Sequence, residues 1–407
     1  MFIFVNNHLF TFVITTILHM KIEHLKLPYQ HYREPSLSGR YINLDHLRML
    51  LNRHRSQFEI TVVGQSVLNE DIHFITLGSG KTKILMWSQM HGNESTTTKA
   101  LFDLLNVLSD RDSKFVRQLL ENVTIGILPM LNPDGARAYT RVNANQVDLN
   151  RDAQALTQPE SKVLRNCFDA FKPNYCFNLH GQRTIFSAGA TNKSAALSFL
   201  SPAQDEPCTI TETRRRAMDV VVRMNDVLQR LIPGQIGTYD DAFNINCVGD
   251  TFQTLHVPTI LFEAGHYAND YQREEVRRLI FISLWTAIVH IALKDIQGVH
   301  AAAYGAIPRN EKLFYDIIIR NAKLSEDETF PNCDIGVQYQ ERLDGDQVRF
   351  IPQIVKISDL SQFYGHKEFD AKGALVKSEN NEAIKEGIEI DFVNIDHNKY
   401  PLNVEIN

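Results

Sequence analysis

The sequence predicts an α/β protein with a smaller β-rich domain at its C-terminal end, and three observations predict it. Short apolar, β-branched runs alternate with stretches of helical apolar spacing, Gly, Pro, Asn and Asp punctuate the joins, and beyond Gly298 the helical spacing gives way to short strand-like runs. At 407 residues and 43% hydrophobic content, the chain is long enough for one large core and a second, smaller one. The expected division is an N-terminal segment at 1–54, a central domain at 55–297 and a β-rich domain at 298–407.

The elements follow in order. Residues 1–19 are apolar but lack Lys and Arg, and the apolar run Leu9–Leu18 is too short to span a bilayer comfortably. They read either as an artefact ahead of a true start at Met20 or as a signal-like or anchoring segment. From Phe58 to Leu77 the runs ITVVG and DIHFITLG alternate as strands, and ILMWSQM follows as a buried one. Ala100, Leu101, Leu104, Leu105 and Leu108 then repeat at helical spacing, so the segment His91–Glu94 lies where a strand hands over to a helix. VTIGILPML, YCFNLH and PTILFEAG read as further buried strands. Pro159–Phe171, Thr211–Leu231 and Glu274–Leu293 read as helices. The last contains the apolar run FISLWTAIVHIAL, which suits a core helix rather than a membrane span. KLFYDIIIR, DIGVQY, QVRFIPQIV and ALVKS are the strand candidates of the C-terminal domain.

A net charge of −6 and a pI near 6.2 provide no basic field, so nucleic acid and anionic membrane surfaces are not expected partners. Five scattered cysteines without a CxxC pair argue against a disulfide framework and for reduced thiols. The expected location is cytoplasmic, or exported or membrane-anchored if residues 1–19 are a genuine signal. Oligomeric state is not legible.

Chemistry gathers at the predicted strand ends. His91 and Glu94 stand three apart and can be aimed at one point by a single turn, and His180 ends another strand. Two imidazoles and one carboxylate are the ligand set of a catalytic rather than a structural zinc, because three N and O ligands leave a position open for water. The polar stretch 132–152 between these segments carries Arg141, Asn150 and Arg151. One arginine suits a developing oxyanion and the other a substrate carboxylate held bidentately, with Asn150 assisting. Glu263 emerges from an apolar strand, where burial raises a carboxylate's pKa towards that of a general base.

HGNE, NPDG, TRVNANQVDLNRD, NLHG and FEAG, in this order, resemble the motifs of the M14 zinc carboxypeptidases over roughly residues 55–295. The resemblance implies a mixed eight-stranded sheet flanked by helices. It implies one zinc ion on His91, Glu94 and His180, oxyanion polarisation by Arg141, terminal-carboxylate recognition by Asn150 and Arg151, and Glu263 as general base. It also carries over Tyr239 as the family's substrate-contacting tyrosine, with Tyr267 as a rival. LNRDA departs from the commoner LNRNF, which places Asp152 beside the carboxylate clamp. Asp250 in the expected specificity segment suggests a basic terminal side chain, and nearby Val248 an aliphatic one.

The expected activity is zinc-dependent hydrolysis of a C-terminal peptide or amide bond beside a free carboxylate. The rival readings are a zinc amidohydrolase that deacylates N-acyl amino acids or cuts peptidoglycan-type amides, and a zinc-binding scaffold without catalysis.

Overall fold

A computed structural model describes residues 29–326, 332–380 and 382–404, and the expectations for residues 1–19 lie outside them. The centre is a mixed eight-stranded sheet of β1 (Glu59–Gln65), β2 (Asp71–Gly78), β3 (Thr82–Ser88), β4 (Val123–Leu128), β5 (Tyr175–Gly181), β7 (Leu197–Leu200), β8 (Ile236–Thr238) and β9 (Thr259–Ala264). Their spatial order is β1-β2-β4-β3-β5-β9-β7-β8, as expected of an α/β fold. The β4-β3-β5-β9 strip is parallel, and β2 and β7 flank it antiparallel. β6 is a short pair of residues, Ser187–Ala188, outside this sheet.

Strand alternation sends the core to both faces. On β3, Ile84 and Met86 enter one apolar cluster with the helices Thr96–Leu108, Glu212–Leu228 and Glu274–Leu293. Leu85 and Trp87 enter another with Pro159–Phe171 and Val248–Thr254. The Glu274–Leu293 helix is apolar on all sides because it is a core element, packed against the Thr96–Leu108 and Glu212–Leu228 helices.

Residues 29–54 join the same core. Tyr29, Leu37 and Ile42 are buried in it, and Leu44, Leu47 and Leu51 add one stripe of the helix Leu44–His54, which Asn43 caps. A buried ion pair fastens this segment. Arg277 clamps Asp103 through Nε at 2.7 Å and Nη2 at 2.5 Å, and also donates to the Glu34 and Leu37 carbonyls, while Tyr29 and the Glu34 N–H donate to Asp103.

The C-terminal domain has a separate core around Ile317, Ile335, Val337, Ile354, Val376 and Val393. Strands β11 (Phe314–Ala322), β12 (Cys333–Asp344), β13 (Gln347–Ser358) and β14 (Tyr364–Asp370) form one sheet, ordered β13-β12-β11-β14. β15 (Val376–Ser378), β16 (Phe392–Ile395) and β17 (Asn398–Pro401) form a second. β10 (Asn310–Glu311) pairs antiparallel with β6 and stitches the chain following the core helix to the sheet domain.

Candidate active site

The C-terminal ends of parallel β3, β5 and β9 open into a cleft of about 880 Å³, the place where open α/β sheets present ligand sites. His91 and Glu94 follow β3, His180 ends β5, and Glu263 on β9 pairs in register with His180. His91–Glu94 forms a turn closed by Glu94 N–H to the His91 carbonyl at 3.1 Å, and the helix begins only at Thr96. The turn delivers the i, i+3 pair that the sequence led us to expect at a helix mouth.

These three residues converge on one point. The Nδ1 atoms of His91 and His180 lie 3.0 Å apart, and each lies 2.9 Å from an oxygen of Glu94. Two imidazole lone pairs facing each other at that distance repel unless a cation or proton stands between them, so the donor set fits a metal ion. Burial alone would push the Glu94 carboxyl up, but the two imidazoles and the Gly181 N–H hold it ionised, below the usual carboxylate range. Burial also lowers the pKa of His180, which keeps a lone pair available to a metal.

The turn is held from below by the NPDG segment. Asn132 caps the short helix Pro133–Ala138 through the Gly135 N–H and donates its Nδ2 to the Met90 carbonyl. Gly92 and Gly135 touch backbone to backbone, and a Cβ on Gly92 would stand 1.9 Å from the Gly135 carbonyl carbon. The apparent loop is therefore a buttress for the ligand turn.

Asp148 was not singled out from the sequence. Its Oδ1 lies 3.0 Å from His91 Nε2, and its Oδ2 accepts from Arg141 Nε at 3.1 Å. A metal-binding histidine needs such a partner on its other nitrogen, and the polar stretch offers three acids, Asp134, Asp148 and Asp152, so that requirement narrowed the search to one of them. Replacing Asp148 with Ala is expected to weaken zinc binding about 10–100-fold in chelator competition. Unchanged affinity would contradict this role.

The remaining residues line the same cleft. Arg141 also reaches Glu94 Oε1 at 3.4 Å, which places its guanidinium beside the ligand set. Asn150 lines the cleft and accepts the Val248 N–H through Oδ1, and Arg151 is exposed beside it, donating to the Asn150 carbonyl. Glu263 has a buried Oε2 without a hydrogen-bond partner. Burial, followed by the charge of Glu94, drives its pKa well above that of an ordinary carboxyl, opposed by Arg141 and Arg273. Tyr239 lies in the cleft with its ring edge-on to Phe186, whereas Tyr267 packs against the apolar core. Burial, then Glu263 and Glu94, raises the Tyr239 hydroxyl and keeps it protonated.

Two sequence-level alternatives resolve. Val248 faces the apolar cluster with Phe252, while Asp250 lines the cleft, pushed up by burial to about 6. Asn178 joins it there with a buried, unpartnered Oδ1. Asp152 does not reshape the pocket: its carboxylate turns away to accept the Thr157 and Gln158 N–H groups at the start of the Pro159–Phe171 helix.

Sequence reasoning also missed Arg273 and Arg40, because neither sits in a motif. Arg273 is buried beside Glu263 and donates to the carbonyls of Ala264 and Gln182, so it braces the ends of β9 and β5.

Residues 44–241 match the family model described as zinc carboxypeptidase, peptidase M14. Carboxypeptidase 2 of Trichophyton rubrum is 32% identical over 100 residues, 24% of this chain and 18% of that protein. Carboxypeptidase SOL1 of Arabidopsis thaliana is 35% identical over 104 residues, 23% of this chain and 21% of that protein. The matches thus span about a fifth of the length of these curated relatives. A metallo-carboxypeptidase from Burkholderia cenocepacia has the same fold, with a TM-score of 0.50 at 19% identity over 62% of this chain and 69% of that one.

Proposed function

We propose that the chain is a member of the M14 zinc carboxypeptidases, whose family model its residues 44–241 match, and that it removes the C-terminal residue of peptides or amides that end in a free carboxylate. One observation carries this reading. The His91, Glu94 and His180 cluster, the unpartnered carboxylate of Glu263, Arg141 and the Asn150–Arg151 pair all face one cleft.

His91, Glu94 and His180 would hold a zinc ion, which when bound would supply Lewis-acid polarisation of the scissile carbonyl and an activated water. Asn150 and Arg151 hold the substrate carboxylate, and Arg151 with its fork of donors fixes the orientation. Arg141 donates to the carbonyl oxygen as it gains charge. Glu263 takes a proton from the attacking water and gives it to the departing amine, a task suited to a carboxylate whose pKa burial has raised. Tyr239, kept protonated, donates to the substrate backbone beside Glu263. A deacylase of N-acyl amino acids would use the same residues, since its substrate ends in the same carboxylate.

The terminal side chain enters beside Asn178 and Asp250, two acceptors that line the cleft, which favours a donor-bearing, basic side chain. A mixed-peptide digest of the zinc-loaded protein, read by mass spectrometry, is expected to show single-residue losses from C-termini, fastest after Lys or Arg. Internal cleavage would overturn the reading. Because Asp250 titrates near pH 6, the preference for a basic over an apolar terminal residue is expected to grow as pH rises through about 6. Asp250→Ala should remove that growth; a pH-dependent preference that survives in the variant would sink the assignment.

A further inference from the structure

The C-terminal domain reaches into the cleft, where β12 contributes Tyr339, Gln340 and Glu341 to its lining. Glu341 is the anchor. Its Oε2 accepts Arg40 Nη2 at 2.9 Å and also the Tyr139 hydroxyl. Around that anchor, Leu343 and Val348 of the β12–β13 hairpin pack on Tyr41 and Tyr139. Tyr271 donates to Asp316 at 3.0 Å, and the second oxygen of Asp316 accepts the Tyr339 N–H at 2.8 Å.

The hairpin is fastened to the segments that line the cleft. Tyr139 precedes Arg141 by two residues, and the Arg40 carbonyl accepts the hydroxyl of Ser95, next to Glu94. The hairpin is thereby tied to the segments that carry the ligand turn and Arg141. Asn150 and Arg151 are tied to the start of the Val248–Thr254 helix, through Asn150 to the Val248 N–H and the Ala153 N–H to the Asn246 carbonyl, and Asp148, which accepts the Asn150 N–H, links them to His91 and Arg141. Tyr339, Gln340 and Glu341 of β12 line the same cleft as Arg141, Asn150 and Arg151, so β12 is available to meet the acyl portion of a substrate whose carboxylate sits on Asn150–Arg151 and whose scissile carbonyl sits at Arg141. The cleft volume of about 880 Å³ falls in the range of about 300–1,000 Å³ typical of small-molecule sites.

We propose that the β12–β13 hairpin is the end wall of the cleft and restricts the enzyme to short acyl portions: N-acyl amino acids, dipeptides and tripeptides. The proposal rests on the carboxylate-directed reading above and adds the length of the substrate to it. The same wall explains why a β-rich domain is packed on the catalytic sheet through charged and aromatic contacts at the cleft.

The full-length, zinc-loaded protein assayed on a ladder of substrates sharing one C-terminal residue, from the N-acetyl amino acid to a decapeptide, tests this. The expected result is a fall in kcat/KM of at least tenfold between the tripeptide and the hexapeptide. Glu341→Ala removes the anchor and should raise the hexapeptide-to-tripeptide ratio at least fivefold. That ratio separates a loosened wall from general damage, which lowers both substrates together. Equal kcat/KM for tripeptide and decapeptide overturns the wall while leaving the carboxylate-directed reading intact. No hydrolysis of any member overturns both.

Discussion

Glu263→Gln is expected to leave zinc content unchanged and to lower kcat by about 10³-fold, within the range of about 10²–10⁴ that positioned general acid–base catalysis contributes. The substitution keeps the shape of the side chain and removes its ability to take a proton. Glu263 lies outside the His91, Glu94 and His180 cluster, so metal binding has no reason to suffer. A thousandfold loss corresponds to about 4 kcal/mol of transition-state stabilisation. The acid limb of the wild-type pH profile follows from the same residue. Activity requires the ionised carboxylate, its pKa is raised by burial and by Glu94, and activity therefore falls as pH drops through that raised value. A glutamine variant with wild-type kcat, or one that loses zinc, contradicts the assignment.

The largest effect on stability is expected at Asp103. Its carboxylate and the Arg277 guanidinium are both fully buried, and the pair joins the helices Thr96–Leu108 and Glu274–Leu293 to the segment around Glu34 and Leu37. Asp103→Ala leaves a buried guanidinium without its anion and should cost about 3–5 kcal/mol, seen as a lower urea midpoint. Replacing both residues with apolar ones recovers only part of that loss. Arg277 also satisfies the Glu34 and Leu37 carbonyls, which would be left buried without a donor. A single-variant loss under about 1 kcal/mol contradicts the view that this clamp holds residues 29–43 in the core.

Much of the candidate site was legible because its side chains stand at the ends of strands. HGNE, NLHG and FEAG each follow an apolar run, and β3, β5 and β9 are neighbours in the parallel strip, so three strand ends become one place. What the sequence could not supply was the direction in which a side chain faces within an irregular segment. Val248 and Asp250 are two residues apart at the start of a helix, and only the fold shows Val248 in the core and Asp250 at the cleft. Asp152 looked like a charge in the pocket because it adjoins Arg151, yet the turn at 153–155 ahead of the Pro159–Phe171 helix brings Thr157 and Gln158 to its carboxylate. The Arg40–Glu341 bond joins residues 301 positions apart, and no local pattern announces it. The helix Leu44–His54 did carry a signal in Leu44, Leu47 and Leu51, the apolar stripe that draws it into the central core.

The central claim is that Asn150 and Arg151 direct hydrolysis to the bond beside a free carboxylate. A matched pair of tripeptides, identical except that one ends in a carboxylate and the other in a carboxamide, tests it most directly with the zinc-loaded protein. Removing the carboxylate should lower kcat/KM at least about a hundredfold, because the clamp then loses a charge-assisted bidentate partner worth a few kcal/mol. Equal turnover of the acid and the amide would contradict it.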